Sequence, residues 1–151
     1  MFHRTFTAED KLLNLVSILG FTGTQNGMRL EQRNALRRLL RQLQPNEFHH
    51  GDCIGADEQA HRIVRKVAPN CRIVIHPPSN PSKRAWCEGD VILPEKDYLV
   101  RNRDIVNVST EMVATPYERI EQLRSGTWST IRYARKNNRK LHLLLPEGEF
   151  E

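Results

Sequence analysis

The chain has 151 residues, of which 38% are hydrophobic and 27% are charged, and it carries a net charge of +5. This balance predicts one globular domain and excludes a disordered chain. No apolar run approaches the ~18 residues that a membrane span needs, and the charged N-terminus lacks the apolar core of a secretory signal. The three cysteines do not form a disulfide framework, so we expect a cytoplasmic protein.

The first half of the chain predicts alternating strands and helices. The pattern is read from apolar runs, from helical spacing of apolar residues, and from Gly and Pro breaks. The predicted elements are a lead-in at residues 1–11, a strand at 15–21, a polar glycine turn at 22–27, a helix at 29–43, a strand at 47–50, a helix from 55 to about 69 and a strand at 71–76. This β-α-β-α-β order predicts a parallel sheet with right-handed crossovers.

The second half continues the alternation after a long irregular stretch at residues 77–100, which contains four prolines. The elements predicted after it are a short helix at 101–108, a strand at 111–115, a polar loop at 116–123, a helix from 124 to about 138 and a strand at 141–145. The expected fold class is α/β, with a doubly wound, mainly parallel five-stranded sheet and helices on both faces. One domain is expected over residues 1–151, with its core at about 15–148.

The long stretch contains Lys83, Arg84 and Trp86. A basic pair beside an indole is able to clamp a phosphate and stack on a base. Alternatively, Trp86 packs on the core and pins the loop. The sequence alone does not decide between these interpretations.

Three polar loops follow predicted strands and precede predicted helices, so they should meet at one edge of the sheet. Backbone N–H groups at helix N-termini there would bind a phosphate, and arginines of the 101–108 helix would neutralise its charge. Surface ion pairing is the alternative role for those arginines. The predicted ligand-binding residues are Gly23, Thr24, Gln25, Gly51, Gly55, Ala56, Arg101, Asn102, Arg103, Ser125, Gly126, Thr127 and Thr130.

Asp52, Asp57 and Glu58 are the carboxylates nearest this predicted site, and they are the candidate catalytic residues. One of them would act as a general base or hold a ribose hydroxyl, although Asp57 is equally placed to cap its own helix. Cys53 lies at a predicted helix N-terminus and near His49, His50 and His61 in sequence, a setting that can lower the pKa of a thiol. Alternatively, it is a small buried cysteine of the loop. The spacing of these residues matches no usual zinc pattern, so no metal and no cofactor is predicted.

Several of these segments together resemble a known family. They are Gly-Phe-Thr-Gly-Thr at 20–24, His-Gly-Asp-Cys-Ile-Gly-Ala-Asp at 50–57 with Ala-His at 60–61, Arg-Asn-Arg-Asp-Ile at 101–105, Arg-Ser-Gly-Thr at 124–127 and Arg-Tyr-Ala at 132–134. In order and spacing they resemble the SLOG superfamily, which includes DprA/Smf, LOG-type and YspA-like proteins. The resemblance covers about residues 15–148 and implies a Rossmann-like fold that binds nucleotides or related ligands.

The chain departs from the family in two respects. LOG-type enzymes carry a catalytic Glu three residues after the Gly-Thr pair, where this chain has Thr130. DprA proteins carry additional domains for which 151 residues leave no room. We therefore expect binding, and possible hydrolysis, of a nucleotide-derived small molecule. The alternative is a DprA-like module for single-stranded nucleic acid; a homo-oligomer is compatible with either function.

Overall fold

The structure, a computed structural model, describes residues 16–151. The expected lead-in at residues 1–11 and the start of the first predicted strand at residue 15 lie outside this range. The strands are β1 (Ile18–Gly23), β2 (Glu47–His50), β3 (Arg72–Ile75), β4 (Val91–Ile92), β5 (Glu111–Thr115) and β6 (Lys140–Leu143). The helices are α1 (Leu30–Leu43), α2 (Ala56–Val67), α3 (Tyr98–Val108) and α4 (Gly126–Lys136), with a 3₁₀ turn at Pro81–Lys83.

The strands form a parallel sheet in the order β4-β3-β2-β1-β5-β6. From β1 the chain adds strands outward on one side as far as β4, and then returns to place β5 on the other side of β1. The carboxyl ends of β1 and β5 therefore form the point where strand order reverses, which is where ligands bind in open α/β sheets.

The sheet has six strands and not the predicted five. The additional strand is β4, which has two residues: Val91 pairs with Val74 and Ile92 pairs with Ile75. So short a strand inside a proline-rich segment shows neither alternation nor an apolar run, so periodicity does not reveal it.

Helices cover both faces of the sheet, as predicted. Helix α1 packs against α2, and α3 packs against α4. The core on the α1 and α2 side includes Leu19, Phe21, Leu36, Leu40, Phe48, Val64 and Ile73. The other side holds two smaller clusters, which include Ile105, Val106, Met112, Ala114, Trp128, Ile131, Ala134 and Leu143. None of the helices described is long and apolar enough to cross a membrane.

The predicted boundaries that need correction include those of β1 and α3. Thr22 and Gly23 belong to β1 and not to the turn after it, because they pair with Ala114 and Thr115 of the neighbouring β5. Helix α3 begins at Tyr98, three residues before the predicted start, because the Asp97 side chain caps it by accepting the Leu99 N–H (3.3 Å).

The long connection at residues 77–97 is bonded to the turn after β2. The Ile54 N–H donates to the Lys83 carbonyl (2.9 Å), and the Ala85 N–H donates to the Asp52 carbonyl (2.7 Å). The Arg84 guanidinium donates to the Asp52 carboxylate (2.9 Å). Trp86 is 62% exposed and carries the Arg84 guanidinium over its ring at 3.9 Å. The interpretation that Trp86 pins this segment to the core is therefore wrong, since Arg84 and the backbone bonds hold it.

Candidate ligand-binding site

A cleft of about 650 Å³ opens at the carboxyl ends of β1 and β5. This volume lies within the range of small-molecule sites in proteins. Its lining comes from every polar loop that the sequence predicts at this edge, and from the 77–97 connection and the start of α3. The polar and aromatic lining residues include Gly23, Thr24, Gln25, Gly51, Cys53, Asp57, Ser79, Asn80, Lys83, Asp97, Tyr98, Arg101, Asn102, Tyr117, Glu118, Arg124, Ser125, Gly126 and Thr127.

The N-terminus of α4 forms one wall of the cleft. The Ser125 hydroxyl caps the helix by accepting the Trp128 N–H (3.2 Å). Within residues 16–151, the N–H groups of Gly126 and Thr127 in the first turn have no acceptor. A Cβ added at Gly126 would meet only a ring carbon of Tyr98, at 3.9 Å. This wall therefore offers two backbone donors and the positive end of a helix dipole beside open space.

The first N–H group of α2 is not free to bind a ligand. Gly55 has φ +96°, and a side chain there would overlap the Gln25 carbonyl oxygen. This close approach lets the Ala56 N–H donate to the Thr24 carbonyl (3.0 Å). The Ala56 donor that the sequence predicts for a phosphate is thus already bonded within the protein. Gly55 and Ala56 pack α2 against the loop after β1 and do not line the cleft.

Arg101 is buried in the cleft wall, with 5% of its surface exposed. Its guanidinium donates to the carbonyls of Gly51 and His76, to the Asn102 side-chain oxygen (2.8 Å) and to the Cys53 sulfur (3.4 Å). A Cβ at Gly51 would overlap this guanidinium, so any side chain there would displace it. Four bonds use most of the five N–H donors of an arginine. Arg101 therefore ties the ends of β2 and β3 together.

Asp57 is the buried acid of the cleft. It is 6% exposed, and its Oδ2 accepts the Cys53 N–H (3.1 Å). Burial raises the pKa of the Asp57 carboxyl to about 6, against the opposing effect of the Arg101 charge. A carboxyl with a pKa close to neutrality is suited to proton transfer.

Cys53 differs from the sequence-based expectation. Burial raises the pKa of the Cys53 thiol, and this effect outweighs the opposing effect of the nearby Arg101. The interpretation that this setting lowers the pKa of the thiol is therefore wrong, and the alternative of a cysteine packed in the loop agrees with the structure.

The other two candidate catalytic carboxylates lie outside the cleft. Asp52 is fully buried, where its Oδ2 accepts from Arg84 and its Oδ1 accepts the Cys87 N–H (2.9 Å). Glu58 pairs with Arg62 one turn further along α2. Asp52 thus anchors the 77–97 connection, and Glu58 forms a surface ion pair.

Arg103 and Thr130 also lie away from the cleft, in a second groove of about 240 Å³ between α3 and α4. The Arg103 guanidinium lies 5.3 Å from the centre of the Tyr133 ring. The Thr130 hydroxyl donates to the Gly126 carbonyl (2.9 Å). Residues two apart on a helix point to different sides, so Arg101 and Arg103 cannot both face the cleft. Asn102 lines both the cleft and the groove.

The histidines near Cys53 form hydrogen-bonded pairs. His50 Nδ1 accepts the Asp52 N–H (2.9 Å), so the ring proton lies on Nε2, which donates to His61 Nδ1 (3.0 Å). Burial holds the pKa of His50 well below its usual range. The side chain of Cys87 brings its sulfur within 4.8 Å of these two rings, a contact that sequence spacing did not reveal. The His50 nitrogen that faces His61 carries a proton, so it has no free lone pair for a metal ion. We therefore interpret His50, His61 and Cys87 as packed side chains of the core and not as a metal site.

Sequence reasoning missed Tyr98 and Tyr117, which line the cleft and are 51% and 52% exposed. Tyr98 lies three residues before Arg101, so extending the predicted helix by one turn would have placed it on the same face. Tyr117 and Glu118 follow β5 in an irregular loop, where no periodicity signals their direction.

No family model matches the sequence, and no curated protein matches it. Solved structures do match. A molybdenum cofactor binding protein from Rippkaea orientalis is 20% identical, with a TM-score of 0.66 over 86% of this chain and 77% of that chain. A Moco carrier protein from Chlamydomonas reinhardtii is 17% identical, with a TM-score of 0.63 over 89% and 80% of the two chains.

DNA processing protein A (DprA) from Streptococcus pneumoniae is also similar in structure. It is 15% identical, with a TM-score of 0.61 over 85% of this chain, which spans only 50% of the DprA chain. At these identities the likeness concerns the fold. It shows that the chain has the Rossmann-like fold of these structures, which is the fold that the resemblance to the SLOG superfamily implies.

Proposed function

We propose that the protein binds a phosphate-bearing, nucleotide-type small molecule in the cleft at the carboxyl ends of β1 and β5. The observation that carries this proposal is the pair of N–H groups of Gly126 and Thr127, which have no acceptor among the described residues and lie at the cleft. Such donors at the positive end of a helix favour an anion. A phosphate is the anion best matched to several converging N–H groups.

The remaining lining suits the rest of such a ligand. Tyr98 and Tyr117 line the cleft and are about half exposed, so a planar ring has an aromatic surface on which to stack. Lys83 and Arg124 add positive charge, and the Lys83 ammonium donates to the Gln25 side chain (3.2 Å). Glu118 offers carboxylate oxygens to sugar or ring N–H and O–H donors.

The structural neighbours extend the set of ligands worth testing. Two of them are named for binding or carrying the molybdenum cofactor. That cofactor therefore belongs beside the mononucleotides and dinucleotides in any binding screen.

Hydrolysis of the ligand is a further part of the proposal, and Asp57 is the residue we assign to it. Asp57 lines the cleft, and burial raises its pKa to about 6, so near neutral pH it is able to accept or donate a proton. Thr130, at the position of the LOG-type Glu, bonds to the Gly126 carbonyl outside the cleft. Any reaction must therefore differ from the LOG type in its acid–base group.

A thermal-shift screen tests binding and reaction together. The panel contains AMP, ADP, ATP, NAD, ADP-ribose, cyclic nucleotides and the molybdenum cofactor, and each mixture is then analysed for products by chromatography. A ligand that binds only the folded state raises the melting temperature. A shift with products indicates an enzyme, and a shift without products indicates a sensor or carrier. No shift with any member contradicts the proposal.

Substitutions at Gly126 test the proposed phosphate donors directly. Gly126 is the first residue of α4, where proline is well tolerated, and Ser125 has the extended backbone that precedes proline. Gly126→Pro removes one N–H and should weaken binding by roughly tenfold or more, as expected for a hydrogen bond to a charged group. Gly126→Ala keeps the N–H and is the matched control. Equal affinities of the two variants, measured by calorimetry, would contradict the assignment of this donor.

Single-stranded nucleic acid is a second candidate ligand, favoured by the likeness to DprA and by the net charge of +5. Binding would then fall steeply with salt because phosphate contacts release counterions. A gel-shift titration with a labelled oligonucleotide at low salt tests this function, and the absence of any shift removes it.

A further inference from the structure

The groove between α3 and α4 has a basic lining that the proposed mononucleotide site does not use. It contains Arg103, Arg132 and Lys136, together with the Ser129 hydroxyl. Arg132 pairs with Glu121 at 2.9 Å. Within residues 16–151, neither Arg103 nor Lys136 has a carboxylate within 4.0 Å. Two uncompensated positive charges therefore face the same small groove.

Arg103 is held at this groove by the ring of Tyr133. Its guanidinium lies 5.3 Å from the ring centre, within the range of a cation–π contact. The Tyr133 hydroxyl in turn donates to the Asn107 side chain (2.9 Å), which fixes the ring. A guanidinium positioned in this way presents its remaining N–H groups for bidentate contact with an anion.

Asn102 joins this groove to the main cleft, since it lines both. Its side-chain oxygen accepts from Arg101 (2.8 Å), which leaves the amide N–H₂ as a donor. Among the described residues, Asn102 is thus the one residue that lines both sites. A ligand that extends from the cleft into the groove would pass this side chain.

We propose that the groove of Arg103, Lys136 and Ser129 is a second phosphate subsite, occupied by a nucleotide that carries two separated phosphate groups. This inference rests on the proposed function, because the first phosphate lies at Gly126 and Thr127. The ligand class is then a nucleoside bisphosphate or a short 5′-phosphorylated dinucleotide, in preference to a mononucleotide. The charge of the groove complements the second phosphate, and Ser129 and Asn102 supply neutral donors.

Calorimetry with a series of three probes tests the subsite. The probes are AMP, adenosine 3′,5′-bisphosphate and the dinucleotide pApA. We expect the bisphosphate or the dinucleotide to bind roughly tenfold more tightly than AMP, as for added charge-assisted bonds. The probe of these two that binds more tightly indicates the spacing between the two phosphate groups. The double variant Arg103→Gln, Lys136→Gln should bring the ratio of affinities close to one. It should also reduce the dependence of binding on salt.

The control variant Arg38→Gln, Arg41→Gln removes the same charge from α1, on the opposite face of the sheet. This control variant should still bind the bisphosphate or the dinucleotide more tightly than AMP. If AMP binds and the longer probes bind no better, the second subsite is excluded while the proposed function stands. If none of the probes binds, the second subsite is excluded, and the proposed function then depends on the other ligands of the thermal-shift panel. An equal loss in the α1 control would show a general charge effect and would also overturn the subsite.

Discussion

The buried Asp57 carboxyl makes a contribution to the stability of this protein that falls as pH rises. Burial raises its pKa from the ordinary 3.8 to about 6, so the folded chain holds this proton more tightly than the unfolded chain does. The stabilising contribution is therefore complete below about pH 4 and is lost as pH rises to about 6. A difference of about two pKa units, at about 1.4 kcal/mol each, corresponds to about 3 kcal/mol.

Asp57→Asn removes this ionisation while keeping an oxygen that accepts the Cys53 N–H. At pH 7.5 we expect the variant to have a free energy of unfolding up to about 3 kcal/mol above that of the wild type. For a chain of this length, the melting temperature should then be higher by about 6 to 12 °C. At about pH 4 the two proteins should be equally stable, because the wild-type carboxyl is protonated there.

Urea denaturation of both proteins between about pH 4 and pH 7.5 measures this difference. Burial lowers the pKa values of His50 and His76, but both proteins carry these groups and their effects cancel in the comparison. Glu58→Gln, at the neighbouring ion-paired position of α2, is the control and should show no such pH-dependent gain. If the difference in free energy of unfolding between wild type and Asp57→Asn stays constant over this pH range, the reasoning is refuted.

Substitutions at two residues, Asp52 and Gly55, test how the turn after β2 is held. Asp52→Ala leaves the guanidinium of Arg84, 13% exposed, and the Cys87 N–H without their shared acceptor, so urea denaturation should show a loss of about 3–5 kcal/mol. Asp52→Asn should lose less, because asparagine tolerates the left-handed backbone at φ +54° and keeps an acceptor oxygen. Gly55→Ala combines a positive φ with overlap on the Gln25 carbonyl and should lose at least about 2 kcal/mol. Gly126→Ala enters open space and should stay within about 0.5 kcal/mol of wild type; a similar loss at both glycines would contradict this account.

The order of elements was predictable from the sequence because long apolar runs and helical spacing are local signals. Strands β2 and β5 have the predicted bounds, and α1 differs by one residue. The two-residue β4 was not predictable, because it exists through pairing with β3 and not through any pattern of its own.

The edge of the sheet that holds the cleft was also predictable, because strand-to-helix loops in a parallel sheet meet there. The direction in which individual side chains point was harder to predict from the sequence. The sequence treats Arg101 and Arg103 alike, yet one is buried under the cleft and the other lies in the second groove. The sequence also gives no reason to prefer Asp57 over Asp52 as the catalytic residue. The structure does, because Arg84, 32 residues further along the chain, donates to the Asp52 carboxylate.

The bonds that hold residues 77–97 to the turn after β2 have a kinetic consequence. This connection supplies one wall of the cleft, through Ser79, Asn80 and Lys83, and bonds within the protein hold it in place. We therefore expect a ligand to enter without prior movement of this wall. In rapid-mixing experiments the observed binding rate should rise in proportion to ligand concentration, without the plateau that a gating step imposes.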